Sequence, residues 1–184
     1  EYGATRISIN PQTLSDEVLA AIGRRHTAQD VLDCFAQARR LGHGNINMDL
    51  IAGLPLDTPA RFAQTLQGVL ALAPENITVH TLTLKRASNL VIEHAPNAYG
   101  DVARMLDSCA LLGENGYEPY YLYRQKGTLQ NLENTGYTRP GYAGLYNVFI
   151  MEEVHTILSA GAGGSTKLVG PDGHIRRIFN HKYR

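Results

Sequence analysis

Three polar side chains stand where α/β folds hold small ligands. Asp49 lies in residues 45–55, NINMDLIAGLP, where Ile46, Met48 and Leu50 alternate with Asn45, Asn47 and Asp49 until Gly53-Leu54-Pro55 stops the pattern. That period of two reads as a strand. It delivers the Asp49 carboxylate near the strand's C-terminal end, where parallel α/β folds bind ligands. Gln12 and Arg24 flank a first short helix. Glutamine offers two donors and an acceptor, and arginine a planar donor fork for a carboxylate. Together the three suit a zwitterionic ligand such as an amino acid, with Arg24 toward its carboxylate and Asp49 toward an amine or ribose hydroxyls. Each also has a plainer reading: loop capping for Asp49, a solvated surface charge for Arg24. The seven His residues show no metal-ligand spacing, and the chain has no H-E-x-x-H, nucleophile elbow or P-loop. No metal ligands are expected. The run Gly161-Ala162-Gly163-Gly164 could let backbone approach a ligand, but it is no dinucleotide fingerprint and a tight turn accounts for it as well.

The elements that must carry these groups are legible in order. Residues 5–10 alternate Ile7 and Ile9 with polar neighbours and end at Pro11, a short strand. Ser15 caps a brief helix that buries Val18, Leu19 and Ile22 and stops at Gly23. Thr27 opens the next helix with Asp30 at the capping-box position, and Val31, Leu32, Phe35, Ala38 and Leu41 keep helical spacing up to Gly42. Thr58-Pro59 starts a helix burying Phe62, Leu66, Val69 and Leu70. Residues 77–84, ITVHTLTL, are β-rich with a slip of phase near Thr81, which predicts burial on both faces or a bulge. A helix over residues 97–112 turns Val102, Met105, Leu106, Cys109 and Leu112 inward. Residues 117–124 read as a tyrosine-rich strand that lies at an edge or begins after Pro119. Strand–helix repeats of this length predict right-handed parallel βαβ units, either a small open sheet or the back part of a barrel. After Arg124 the texture changes: residues 125–141 are polar and turn-rich and read as a site-lining loop, and residues 175–179 as one more strand.

At 184 residues the chain has the length of one domain with a sizeable core. Lys plus Arg balances Asp plus Glu at 17 each, so no basic field points to nucleic acid. No apolar run reaches the ~20 residues of a membrane span, and no signal peptide is visible. Cys34 and Cys109 both read as buried small hydrophobes on helix faces, in a reducing and hence cytoplasmic setting. The chain begins without Met and almost directly in a strand, and is read as a fragment.

Six motifs in this order, RISINPQ at 6–12, IGRRHT at 22–27, NMDLIAGLP at 47–55, YYLYRQK at 120–126, NLENTGY at 131–137 and GAGGSTK at 161–167, resemble one family. It is that of the radical S-adenosylmethionine (SAM) oxygen-independent coproporphyrinogen III oxidases, in the coproporphyrinogen dehydrogenase branch. The resemblance implies an α/β fold: the C-terminal part of a TIM-like (β/α) partial barrel over residues 1–124, and a smaller substrate-side extension over residues 125–184. It also implies a SAM site in which Gln12, Arg24 and Asp49 match the family's Gln, Arg and D-L-I-x-G-L-P Asp. Thr83 and Ser165 fall at further SAM-contact positions, although Gly164 and Thr166 replace the Ala and Ser of the family's G-x-G-A-x-S. The implied cofactors are SAM and a [4Fe-4S] cluster. The family's C-x-x-x-C-x-x-C cluster loop precedes RISI and is not in this chain; the end at RIFNHKYR reads as clipped too. The implied reaction is radical oxidative decarboxylation of coproporphyrinogen III propionates to vinyl groups, with this fragment alone inactive. The expected partners are a porphyrinogen and an unidentified electron donor, without nucleic acid or a membrane span. A haem chaperone of the same superfamily is the alternative. Its H-N-x-x-Y-W motif survives only as Asn147 within residues 146–151, and the chain has no Trp.

Overall fold

A computed structural model describes residues 3–83, 101–124 and 128–182. They divide into two compact units, Glu1–Ala143 and Gly144–Arg184. In the first, β1 (Ile7–Gln12), α1 (Asp16–Ala21), α2 (Ala28–Arg40), β2 (Ile46–Ala52), α3 (Pro59–Leu72) and β3 (Asn76–Thr81) follow one another as two βαβ passages. α4 (Val102–Asp107), α5 (Ala110–Glu114), β4 (Glu118–Tyr123), a 3₁₀ turn (Leu129–Asn131) and β5 (Asn134–Thr138) complete it. Among the described residues the sheet has five strands, in the order β1-β2-β3-β5-β4. β1, β2 and β3 are parallel, as their alternation with helices requires, and β5 is antiparallel to both its neighbours.

One sheet face packs on helices. Ile46, Met48, Leu50, Ile77 and Val79 are buried against Val31 and Phe35 of α2, Phe62, Leu66 and Val69 of α3, and Met105 and Leu112. Fully burying side chains of this size stabilises by ~1.5–3 kcal/mol each relative to exposure. α2 and α3 start where the sequence predicts, whereas Ser15 precedes α1 without a side-chain cap. Thr27 and Asp30 close a reciprocal capping box, with Thr27 N donating to Asp30 Oδ2 at 2.8 Å and Asp30 N to Thr27 Oγ1 at 3.2 Å. Thr58 Oγ1 accepts from Arg61 N at 3.2 Å, with Pro59 in the first turn.

Four expectations need refinement. Residues 125–141 are not a loop throughout, because Asn134–Thr138 forms β5 and separates β4 from β3. NTGYT carries one large apolar residue, so no period-two apolar signal marks it; strands on both sides supply its hydrogen bonds. Cys34 is exposed, because the buried stripe of α2 is Val31, Phe35 and Ala38; Cys109 is buried as expected. The helix over residues 97–112 is two short helices, α4 and α5, and residues 97–100 lie outside the described residues. Asp49 is the middle residue of β2, since Leu50 and Ala52 continue to pair with Val79 and Thr81. Burial on nearly all of β3 explains its slipped phase, and Pro119 sits in an edge strand. Leu84 lies outside the described residues.

The second unit consists of α6 (Leu145–Glu152) and an antiparallel hairpin of β6 (Ser165–Val169) and β7 (Ile175–Phe179). Asn180 pins the glycine run by donating from Nδ2 to Ser159 O and Gly161 O, both at 2.9 Å.

Candidate functional site

Because Met48 and Leu50 face the helices, Asn47, Asp49 and Ile51 face the other side of the sheet. Parallel register places Ser8 beside Asn47, Thr78 beside Asp49 and His80 beside Ile51. β4 adds Tyr121 and Tyr123, whose rings are stacked with centroids 6.3 Å apart. Between them and β3 runs β5, and the residue there is Gly136. A Cβ at Gly136 would lie 1.9 Å from Tyr121 Cε1, so only glycine lets the Tyr121 ring cross β5. The Tyr121 hydroxyl thereby reaches Thr78 Oγ1 at 3.3 Å.

The result is one connected polar network. Asn47 Nδ2 donates to Asp49 Oδ1 at 2.7 Å and to Ser8 Oγ at 3.0 Å, and Thr78 Oγ1 donates to Asn47 Oδ1 at 3.1 Å. His80 Nε2 lies 3.8 Å from Asp49 Oδ2, and His80 Nδ1 lies 3.2 Å from the Tyr123 hydroxyl. Burial works against a charge on Asp49. His80, Asn47 and Thr78 outweigh it, and the carboxyl is held below the usual carboxylate range. Burial pushes the Tyr121 hydroxyl up to about 12 and raises Tyr123 as well, so both phenols stay protonated donors. His80 bridges the Tyr123 hydroxyl on its Nδ1 side and the Asp49 carboxylate on its Nε2 side. Asp49 is thus an ionised, oriented acceptor whose side chain keeps 21% of its surface open.

Gln12 ends β1 with a φ of 68°, a left-handed conformation uncommon outside glycine. The register of β1 slips between Ile9 and Gln12, which pairs with Leu50 of β2. Its side chain is buried and Nε2 donates to Asn10 O at 3.3 Å. The backbone is anchored just beyond, where Thr65 Oγ1 accepts from Leu14 N and lies 3.2 Å from Thr13 Oγ1. Thr83 follows β3 in a bridge to Thr128. Arg24 is exposed after Gly23 and forms no ion pair among the described residues. Ser165 is exposed and opens β6 in the second unit. Gln12 and Asp49 therefore stand on adjacent strands and Thr83 just past the third, while Arg24 is turned to solvent.

His80, Tyr121 and Tyr123 were not singled out in the sequence. Their signal was parity: His80 shares it with Thr78, and Tyr121 with Tyr123, but parity alone does not say which strands are neighbours.

An ionised carboxylate among hydroxyl, amide and imidazole groups fits the amine or ribose hydroxyls of SAM. The cluster does not fit. Iron–sulfur clusters need several thiolates, and the chain has one exposed cysteine and one buried cysteine whose thiol burial pushes up to about 12. Among the described residues no group of three His, Cys, Asp or Glu could hold a metal ion. Nor is any described helix long and apolar enough to cross a membrane.

The profile of the radical SAM superfamily matches residues 1–68. The oxygen-independent coproporphyrinogen-III oxidase-like protein HemZ of Bacillus subtilis is 46% identical over 187 residues, covering 99% of this chain and 37% of that protein. The heme chaperone HemW of Escherichia coli is 28% identical over 185 residues, covering 98% of this chain and 45% of that protein. The solved coproporphyrinogen III oxidase (HemN) from Escherichia coli, a radical SAM enzyme, matches with a TM-score of 0.67 at 22% identity. That match covers 89% of this chain and 39% of the other, and it is a likeness of fold. The chain spans less than half the length of each of these proteins. It belongs to the radical SAM superfamily, among the oxygen-independent coproporphyrinogen III oxidase-like proteins.

Proposed function

We propose that the protein containing this chain is a coproporphyrinogen dehydrogenase of cytoplasmic porphyrin biosynthesis, converting propionate side chains of coproporphyrinogen III to vinyl groups. SAM, on one-electron reduction by a donor outside this chain, would supply the hydrogen-abstracting radical chemistry, and the propionate would lose CO₂ and pass one electron to an acceptor, also outside this chain, to leave the vinyl group. The chain's own residues bind and orient. Asp49, kept ionised by Asn47 and His80, accepts from the ribose hydroxyls or the amine of SAM. Gln12 and Thr83 lie on and just past the neighbouring strands, and Arg24, exposed after Gly23, would turn from solvent to meet the carboxylate of SAM. Residues 125–184 serve the substrate side. The [4Fe-4S] cluster lies outside this chain's ligand set, and no step is assigned to it.

The observation that carries this reading is the Asp49 network on the sheet face turned away from the helices. Its test is SAM affinity by calorimetry in the cluster-bearing protein, together with 5′-deoxyadenosine release under anaerobic reducing conditions. Asp49→Ala is expected to lower turnover at least ~10-fold, because a hydrogen bond to a charged group contributes ~1.5–3 kcal/mol and ~1.4 kcal/mol is tenfold. Asp49→Asn should be milder. Unchanged affinity and turnover in Asp49→Ala would make the carboxylate structural and remove the reading.

The similarity to a heme chaperone over 98% of the chain keeps a second reading, a haem-binding protein of the same superfamily. Stoichiometric haem binding without decarboxylated porphyrinogen product would favour it.

A further inference from the structure

We propose that the second unit contains a carboxylate-binding cavity built on Lys167, and that its ligand is a propionate arm of the tetrapyrrole. The carboxylate class rests on geometry; the propionate rests on the function proposed above.

β6 and β7 place Lys167 directly opposite Arg177, so two cations share one face of a hairpin. Like charges in that relation destabilise a strand pair unless something answers them. Arg177 is answered by Glu153, with which it forms an ion pair. Lys167 is not. It is 7% exposed, and among the described residues its Nζ reaches only Phe149 O at 3.4 Å and Ile150 O at 3.5 Å. These are carbonyls in the last turn of α6, which carry partial negative charge, but the contacts are long for hydrogen bonds. No carboxylate pairs with Lys167 among the described residues. A buried ammonium without a counter-charge is costly, so the local balance is one negative charge short.

The space for that charge is present. A cavity of about 270 Å³ is lined by Lys167, by the Arg177–Glu153 ion pair, by the apolar Ile150 and Ile157, and by the hydroxyl-bearing Tyr146 and Ser165, so that Lys167 is its one uncompensated charge among the described residues. Small-molecule pockets run ~300–1,000 Å³, so this one suits a short acid arm and not a whole macrocycle. Exposed Leu145, Tyr146, Leu158 and Phe179 on the same unit offer apolar surface for the remainder.

Two probes on the 184-residue chain separate this inference from the function it rests on. The first is 3-phenylpropionate, followed by methyl NMR of Ile150 and Ile157. The second is fluorescence titration with coproporphyrin III and with its tetramethyl ester. Phenylpropionate should shift both methyl groups in the wild type and not in Lys167→Met, which keeps the buried stem. Coproporphyrin III should bind at least about tenfold more weakly to Lys167→Met than to wild type, and the ester equally weakly to both. Arg177→Gln, at a half-exposed site, should weaken the acid severalfold and serves if Lys167→Met does not fold. Unshifted methyl groups in the wild type, or equal binding of acid and ester, would overturn the inference while leaving the decarboxylase reading intact. So would a Lys167→Met chain that is less stable but binds unchanged, which would make Lys167 only a cap on α6. Shifts with phenylpropionate but no coproporphyrin binding would keep the carboxylate cavity and overturn its assignment to a tetrapyrrole. SAM shifting the methyl groups where coproporphyrin III does not would give the cavity to the amino-acid end of SAM, which also overturns the propionate.

Discussion

Two aspartates eight residues apart experience opposite environments. Asp49 is stabilised as an anion by Asn47 and His80, whereas Asp57 has one carboxyl oxygen buried without a partner. Burial pushes Asp57 up to about 6, against the Thr58 amide, which donates to Oδ1 at 2.9 Å, and against Arg61. The sign follows from proton binding. Between the unfolded value of ~3.9 and about 6 the folded chain holds more protons than the unfolded one. Stability should therefore rise as pH falls from about 6 toward ~4, with a slope of at most ~1.4 kcal/mol per pH unit. Urea denaturation at several pH values should show this rise in the wild type and its loss in Asp57→Asn. Asp49 has the opposite sign: its contribution is present above ~3.9 and is lost as pH falls through its lowered folded value. A pH profile indifferent to Asp57→Asn would mean that the orphaned oxygen is solvated.

Among the elements, β5 decides more than its five residues promise. It turns what would be a run of parallel strands into a mixed sheet, and its Gly136 is the gap through which Tyr121 meets Thr78. Gly136→Ala would put a methyl group into the Tyr121 ring, and overpacking of this kind typically costs 1–3 kcal/mol. We expect a loss of that order by denaturation, and a clearly smaller loss when the same change is made in Tyr121→Ala. Additive losses in that double-mutant cycle would show that the glycine is needed for strand geometry and not for the ring. The helices were the most legible elements, because the capping box of Thr27 and Asp30 and the Thr58-Pro59 start are written in adjacent residues. β5 was illegible because its partners are more than fifty residues away in the case of β3.

The described part of the first unit is an open sheet, with β1 and β4 paired on one side only. Such edges present free backbone donors and acceptors. The chain also has only two cysteines, apart in burial and in element. The 184-residue chain by itself is therefore expected to release no 5′-deoxyadenosine from SAM under reducing conditions with iron and sulfide supplied, and to bind SAM weakly at best. Chromatographic detection of 5′-deoxyadenosine above a no-protein control would refute this and with it the assignment of the cluster to other residues. The extension expected from residue 125 includes β5 in the first compact unit, which runs to Ala143, so packing and the functional division need not coincide.

What the sequence determined by itself was local. Alternation put Asp49 and Met48 on opposite faces of β2, caps set the helix starts, and six short motifs carried the family. Which residues share a face is decided by spacing within a few residues, so the faces of a single strand or helix can be read alone. Only the tertiary structure decided which strands are neighbours. His80 and Tyr123, 43 residues apart, became one hydrogen-bonded pair beside Asp49. Cys34 left the core, and Lys167 was buried opposite Arg177. Each of these depends on contacts between one element and another, where the interaction energy belongs to the pair and neither partner's own strand or helix encodes it.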